Sequence, residues 1–175
     1  SNDPIGKEFE NVTEDINRKA SVKLAKMAVK ENVKKFVFAS SCSMYGQVDG
    51  GSRKETDEKN PLTAYAHSKI GTERDVKDLS LGDMTFTSLR FATACGWSER
   101  LRLDVTVNKL TFDGFYKKKI FVDGGSQIRP NVNLMDIIRV VDHLLNSKKK
   151  LKKNIYNMGF ENFSILKIAK KIQKK

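Results

Sequence analysis

Apolar residues recur every three or four positions along two stretches of the 175-residue chain. The first stretch, residues 11–31, carries the stripe Val12, Ile16, Ala20, Leu24 and Met27. The second stretch, residues 134–147, repeats the same spacing. This period is typical of an amphipathic helix. We therefore predict a helix over each stretch, with Asn32 as a left-handed terminator of the first.

Short runs that are rich in apolar residues lie outside the two helical stretches. The run KFVFASS (35–41) combines aromatic and β-branched residues, and further runs occupy 84–92, 119–122 and 154–159. The run at 35–41 lacks polar alternation, which is typical of a strand that is covered on both faces, as in a parallel sheet. We predict a strand at each of these four runs.

Capping residues mark further helices between these strands. Asn60 and Pro61 provide a cap and a first-turn proline for a helix over 61–81. Another helix is predicted from Asp104, and Ser164 is predicted to cap a last one. Strands thus alternate with helices along the chain. This order predicts an α/β fold of right-handed βαβ units around a parallel sheet.

The composition is that of a cytoplasmic protein with one substantial core. Apolar residues make up 39% of the chain, but no apolar run approaches the roughly 18 residues that span a bilayer. No signal-peptide pattern opens the chain. Cys42 and Cys95 are too few and too far apart for a disulfide framework or a zinc site. We predict a cytoplasmic protein without a metal or a membrane partner.

The net charge of +12 raises the question of nucleic-acid binding, because clustered lysines attract phosphate backbones. The lysine clusters at 116–120, 148–153 and 169–175 each fall at a predicted helix end, where cations are favoured. Arginine is sparse beside lysine, and no aromatic residues interleave as they do on a base-stacking surface. Nucleic acid is therefore not the expected partner.

Hydroxyl and amine groups gather where two predicted elements meet. Ligands bind at the carboxyl ends of parallel strands, and the strand at 35–41 ends in Ser40 and Ser41. Tyr65 and Lys69 lie four residues apart in the next helix, so they share one face. A tyrosine becomes a useful base only if its pKa falls by about three units, which requires roughly 4 kcal/mol of phenolate stabilisation.

A lysine ammonium within several ångströms supplies much of that stabilisation. The serine hydroxyl then holds a substrate oxygen while the tyrosine takes its proton, and a hydride leaves toward an oxidised nicotinamide. The residues Ser41, Tyr65 and Lys69 therefore predict the oxidation of an alcohol.

Five ordered motifs of the chain resemble those of a known family. They are INRKASVKLAKMAVKENV (16–33), FVFASSCSMYG (36–46), YAHSK (65–69), LRFATACG (89–96) and DGGSQIRPNVNLMD (123–136). In this order the chain resembles the extended short-chain dehydrogenase/reductase family, or NAD-dependent epimerase/dehydratases, over nearly its whole length. The resemblance implies a partial Rossmann-like, doubly wound parallel sheet with helices on both faces. It assigns residues 1–100 to the C-terminal portion of the NAD(P)-binding Rossmann domain, without its first βαβ units. Residues 101–175 are assigned to a mixed substrate-binding region with the last Rossmann elements.

The resemblance also implies roles for individual residues. The implied catalytic residues are Ser41, Tyr65 and Lys69, with Asn17 supporting the lysine through a water molecule. The implied cofactor contacts are Tyr65, Lys69, Ser40 and Phe91, and the implied substrate contacts are Ser41, Ser43, Thr93 and Arg129. Family members generally act on nucleotide-linked sugars, with either NAD or NADP. They commonly dimerise through the helix with the tyrosine and the helix before the serine strand, so a homodimer is expected.

The chain departs from the family pattern at several positions. Cys42 and Ser43 stand where sugar-nucleotide dehydratases place Asp-Glu, which disfavours a 4,6-dehydratase. Thr93 replaces an Asn that often contacts the diphosphate, whereas Arg129 matches the diphosphate-binding arginine. Asn133 replaces a His, which leaves the particular sugar open.

The glycine-rich phosphate loop of the family has no match in this chain, whose first methionine is Met27. We therefore expect a truncation before Ser1 and another after the uncapped last helix. A chain of this kind is expected to be incomplete and inactive on its own. The alternative function is a non-catalytic fragment or interaction module with a basic surface, which would bind neither NAD nor NADP.

Overall fold

The computed structural model describes residues 8–47, 51–149, 151 and 154–174. In chain order its elements are α1 (Glu10–Glu14), a π-helical turn (Asp15–Lys19), α2 (Ala20–Lys30), β1 (Lys35–Ser41), a 3-10 helix (Cys42–Tyr45), α3 (Ala64–Lys77), β2 (Thr85–Phe91), β3 (Thr93–Cys95), α4 (Thr106–Tyr116), β4 (Ile128–Asn133), α5 (Leu134–Asn146), β5 (Ile155–Met158), β6 (Glu161–Ser164) and α6 (Ile165–Gln173). The alternation of helices and strands confirms the predicted α/β class.

The chain divides into two compact units. The first unit comprises residues 1–91 and 147–157, and the second comprises residues 92–146 and 158–175. The predicted domain assignment, with its boundary at residue 100, stays a prediction.

The helix predicted over 11–31 is confirmed, but a π-helical turn interrupts it between α1 and α2. Asn32 ends the helix with a φ of 55°, as expected of a left-handed terminator. The apolar stripe of this helix stays about half exposed, at Val12, Ile16, Leu24 and Met27. Burial falls instead on small residues of the other faces, among them Ala25.

The first unit is built on a parallel pair of strands. β1 pairs with β2 in parallel, with Ser40 opposite Arg90 and Ser41 opposite Phe91, and β5 lies on the other side of β2. The side chains of Phe38 and Phe86 stack with their ring centroids 6.0 Å apart. Together with Ala25 of α2 and Val76 of α3 they form a core cluster, which fixes both helices against the sheet.

Helix α3 begins three residues later than predicted. The expected cap was Asn60 with Pro61 in the first turn, and this assignment is wrong. The N-cap is Thr63, whose hydroxyl accepts a hydrogen bond from the backbone N–H of Ala66 at 3.2 Å. Threonine is a better capping partner here because its side chain reaches the free N–H group of the first turn.

The second unit contains a small mixed sheet. Its strands lie in the order β3-β4-β6, with β3 and β4 parallel and β4 and β6 antiparallel. Helices α4 and α6 pack against each other through a cluster that includes Leu110 and Ile168. The hydroxyl of Ser164 accepts from the N–H of Lys167 at 3.2 Å, which confirms the predicted cap of α6.

One predicted strand of the second unit is wrong. Residues 119–122 form no strand, because the side chains of Ile120 and Val122 pack into the cluster between α4 and α6. The strand that does form is β4, a polar segment that the apolar pattern did not indicate. The short strands β3 and β6 were not predicted either.

Two types of feature are absent from the described part of the chain. None of its helices is long and apolar enough to cross a membrane. Within the same residues, no group of three or more His, Cys, Asp or Glu side chains is arranged to hold a metal ion.

Candidate active site

The end of β1 holds a serine whose hydroxyl is fixed by the turn that follows. Ser41 caps the 3-10 helix, and its hydroxyl accepts from the backbone N–H of Ser43 at 3.2 Å. The two side-chain oxygens of Ser41 and Ser43 lie 2.9 Å apart. Side chains alternate along a strand, so the hydroxyl of the preceding Ser40 lies on the opposite face. Ser41 thus stands at the carboxyl end of a parallel strand, where ligands bind in such sheets.

Lys69 joins helix α3 to the same strand end. Its ammonium donates a hydrogen bond to the carbonyl oxygen of Ala39 at 2.7 Å. The ammonium lies 4.9 Å from the ring centroid of Phe38 and 5.4 Å from that of Tyr65. Burial lowers the pKa of Lys69 below the ordinary value for a lysine. The lysine therefore lies beside both the predicted base and the strand that ends at Ser41.

Asn17 lies in the π-helical turn and is buried. Its backbone carbonyl accepts a hydrogen bond from the hydroxyl of Thr72 at 3.1 Å, and the same hydroxyl reaches the carbonyl of Ser68 at 2.9 Å. Asn17 is therefore held against the α3 turn that follows Lys69. The water-mediated support of Lys69 by Asn17 stays a prediction.

A buried ion pair that the sequence pattern does not indicate lies beneath this site. Glu73 Oε2 accepts from Arg90 Nη2 at 2.7 Å, and the two side chains are 6% and 1% exposed. Glu73 Oε1 accepts from the hydroxyls of Ser40 and Ser88, each at 2.7 Å. Burial raises the pKa of Glu73, but hydrogen bonds from Arg90 and the two serines outweigh it and hold that pKa below its ordinary value.

The arginine of this pair extends the network to the turn after Ser41. Arg90 Nη1 donates to the phenolic oxygen of Tyr45 at 2.7 Å, and Tyr45 donates to Asn157 Oδ1 at 2.6 Å. Burial raises the pKa of Tyr45. The sequence carried one signal for this network, since Arg90 is a lone charge inside an otherwise uncharged strand.

The structure brings only some of the predicted residues together. Phe91 ends β2 directly opposite Ser41, so it lies at the same strand edge as the catalytic candidates. Ser40 turns its hydroxyl to Glu73 and is 2% exposed, so its predicted cofactor contact gains no support from this geometry. Thr93 and Arg129 lie in β3 and β4 of the second unit, where both are exposed. Their predicted contacts with a substrate stay predictions.

Fold and site together define a Rossmann-like α/β protein with a Tyr-x-x-x-Lys helix beside a serine strand. The chain belongs to the NAD dependent epimerase/dehydratase family, whose model matches residues 4–159. It is 27% identical over 160 residues to an uncharacterized UDP-glucose epimerase, YtcB, of Bacillus subtilis, covering 90% of this chain and 49% of that protein. It is 28% identical to a UDP-glucose 4-epimerase of Lactobacillus helveticus, covering 81% of this chain and 49% of that protein.

Solved structures of other proteins share the fold. A novel NAD dependent NDP-hexosamine 5,6-dehydratase, TunA, is similar with a TM-score of 0.84 at 23% identity, over 99% of this chain and 57% of TunA. UDP-glucuronic acid 4-epimerase of Bacillus cereus, in complex with NAD, is similar with a TM-score of 0.76 at 25% identity, over 90% of this chain and 52% of that enzyme. The Rossmann-like fold is thereby confirmed, and the chain spans about half the length of the curated relatives it matches.

Proposed function

We propose that the protein carrying this chain is an epimerase/dehydratase-type oxidoreductase or isomerase that acts on an alcohol group of a nucleotide sugar. The observation that carries the proposal is the position of the Lys69 ammonium. It lies 5.4 Å from the ring centroid of Tyr65 and 2.7 Å from the carbonyl of Ala39, two residues before Ser41. Family membership supports the same activity.

Each of the three residues has a distinct part in this proposal. Tyr65 takes the proton of the sugar hydroxyl as general base. The positive charge of Lys69 favours the phenolate of Tyr65, since an opposite charge at this range stabilises the charged form. Ser41 donates a hydrogen bond to the reacting sugar oxygen from the strand end. The proton thus moves from the sugar oxygen to the phenolic oxygen of Tyr65.

Lys69 fits the nicotinamide ribose of a dinucleotide cofactor. The Lys69 ammonium has three donors, and its bond to Ala39 accounts for one of them, so the others are available to ribose hydroxyls. A nicotinamide bound there would supply the acceptor for the hydride that leaves the sugar carbon. The solved UDP-glucuronic acid 4-epimerase was obtained in complex with NAD, so NAD is the first cofactor to test and NADP the second.

A nucleotide sugar is the proposed substrate class. The curated relatives are named for UDP-glucose, and the exposed Arg129 supplies a cation for a diphosphate. The predicted contacts Ser43 and Thr93 would hold the sugar and diphosphate. Cys42 and Ser43 stand in place of the Asp-Glu pair of sugar-nucleotide dehydratases, which favours epimerisation over 4,6-dehydration.

We also propose that the protein forms a homodimer through α1, α2 and α3. The supporting observation is the half-exposed apolar stripe of the first helical stretch, at Val12, Ile16, Leu24 and Met27. A helix face of this kind is typical of helix-to-helix packing. A monomer in analytical ultracentrifugation would contradict this part of the proposal.

The catalytic proposal is tested in the whole protein with NAD and either UDP-glucose or UDP-glucuronic acid, by separating the epimers chromatographically. Tyr65→Phe removes the proton acceptor and is expected to lower kcat about 100-fold or more with little change in folding. The control Tyr156→Phe removes a hydroxyl from β5 of the same unit. An unchanged kcat for Tyr65→Phe would refute the mechanism. Absence of saturable NAD or NADP binding by the wild type would favour an interaction module with a basic surface.

A further inference from the structure

We propose that Glu73 and Arg90 form a positioning clamp that holds Lys69 and Ser41 in register across helix α3 and strand β1. The inference rests on the proposed function, since it concerns the residues that carry that function. Neither clamp residue is placed in contact with substrate or cofactor. Their effect on the site runs through Lys69 and Ser41.

The carboxylate of Glu73 ties one helix to two strands. It accepts from Ser40 in β1 at 2.7 Å and from Ser88 in β2 at 2.7 Å. It also accepts from Arg90 in β2 at 3.1 Å through Nε and at 2.7 Å through Nη2. Four hydrogen bonds on one buried carboxylate allow little shift of α3 along the sheet.

Two successive turns of α3 thereby form hydrogen bonds with two successive residues of β1. Lys69 holds the carbonyl of Ala39, and Glu73, one helical turn later, holds the side chain of Ser40. Ser41 follows at once with its hydroxyl on the opposite face. A displacement of Glu73 from Ser40 would therefore move Lys69 relative to Ser41.

The guanidinium of Arg90 fixes the 3-10 helix that follows the end of β1. Its Nη1 donates to the phenolic oxygen of Tyr45 at 2.7 Å and to the carbonyl of Glu55 at 3.0 Å. Tyr45 is the last residue of the 3-10 helix that Ser41 caps. The clamp thus determines both where the turn after Ser41 ends and where Lys69 lies.

Stability alone gives a weak reason for such a pair. Replacing a buried ion pair by apolar residues of similar volume is often neutral or stabilising, whereas removing one partner is costly. Every buried side-chain nitrogen and oxygen in the described ranges has a hydrogen-bond partner, so the network is complete there. Unlike an apolar pair, the charged pair makes directional hydrogen bonds. These bonds fix the position of helix α3 along strand β1.

Two variants test the clamp while keeping the local net charge. Glu73→Asp retains the carboxylate but shortens its reach by one methylene, and Glu73→Leu with Arg90→Met removes both charges together. Because neither variant adds or removes a net charge, Coulomb effects on Lys69 largely cancel. Asp75→Glu is the matched control. It makes the reverse change of length on the same helix, in the ion pair with Arg18, whose Nε lies 2.7 Å from Asp75 Oδ2.

The first readout does not need catalysis. The lysines are labelled by reductive methylation with ¹³C-methyl groups. The NMR signal that disappears in Lys69→Arg is assigned to Lys69, and its chemical shift is followed against pH in the folded protein. Loss of register exposes the Lys69 ammonium to water, so the pKa is expected to rise by about half a unit or more in both variants and to stay unchanged in the control. A Lys69 titration identical to that of the wild type in a folded variant would overturn the proposal. Failure of both variants to fold would overturn it too, because the pair would then be required for folding and not for positioning.

The second readout is kinetic and uses the whole protein. Both variants are expected to lose about tenfold or more in kcat with KM changed less than about threefold, whereas Asp75→Glu keeps both constants. A double variant with wild-type kcat would overturn the clamp. If the wild type itself has no NAD-dependent turnover, the proposed function fails, and the Lys69 titration still decides whether the clamp positions this residue.

Discussion

Arg90→Met alone is expected to destabilise the first unit severely. It removes the guanidinium and leaves the carboxylate of Glu73, 6% exposed, with only the hydroxyls of Ser40 and Ser88 as partners. Breaking one side of a buried ion pair typically costs 3–5 kcal/mol. Because two of the four hydrogen bonds to Glu73 survive, we expect the lower end of this range, about 3 kcal/mol.

The difference in unfolding free energy between the wild type and Arg90→Met is expected to depend on pH. In the wild type the pKa of Glu73 is lowered, so its stabilisation is present above the ordinary carboxyl pKa of about 4.3 and is lost as pH falls through the folded-state value. Without Arg90, burial is expected to dominate and to raise the pKa of Glu73. The variant then gains relative stability as the carboxylate takes a proton. The difference between wild type and variant should therefore shrink from pH 7 to pH 5.

Urea unfolding followed by circular dichroism at the two pH values measures this difference. Arg18→Met is the matched control, because it breaks the pair with Asp75, whose side chain is 28% exposed, and should cost about 1 kcal/mol or less. A loss below about 1 kcal/mol for Arg90→Met at pH 7 would refute the account of Glu73 as a buried, clamped carboxylate. A stability difference between wild type and Arg90→Met that widens as pH falls would refute the predicted pH dependence.

Substitutions at Gly46 and Thr63, each with a control substitution, test local features by the same unfolding assay. Gly46→Ala should cost at least about 2 kcal/mol, because Gly46 has a φ of 68° and an added Cβ would meet the carbonyl oxygen of Asn60 at 2.1 Å. Gly82→Ala, with a φ of 53° and no atom within 4 Å, should cost only about 1 kcal/mol, and equal losses would contradict the clash. Thr63→Ala should cost about 1 kcal/mol through loss of the α3 cap, whereas Thr63→Ser should cost almost nothing; equal effects would show that the hydroxyl is not the cause.

The parts of the fold that follow from local pattern were predictable from the sequence. β1 and β2 are apolar runs, and α2 and α5 carry the helical period, so each was located correctly. β4 was missed because its sequence IRPNVN is polar and contains Pro130, and its pairing with β3 and β6 is a tertiary effect. Residues 119–122 have the composition of a strand, but their side chains found burial between two helices instead.

The candidate site followed from motif order more than from local chemistry. Tyr65 and Lys69 were recognisable because residues four apart share a helix face. Their approach to β1 depends on where the core places α3, which no local pattern encodes. Glu73 was overlooked because a glutamate on a helix is ordinarily solvated, and only the packing of β2 against α3 shows that it is buried with Arg90.

The two adjacent serines of β1 show why residue type alone assigns roles poorly at this strand end. Both are hydroxyls, one position apart, at the carboxyl end of a parallel strand. Alternation sends the side chain of Ser40 into the unit, where it donates to Glu73, and leaves the hydroxyl of Ser41 at the edge beside Ser43. One serine can therefore anchor the strand to helix α3 while the next remains available to a ligand. The register of β1 against α3 decides which serine has which role, and the Glu73–Arg90 pair is the contact that defines this register.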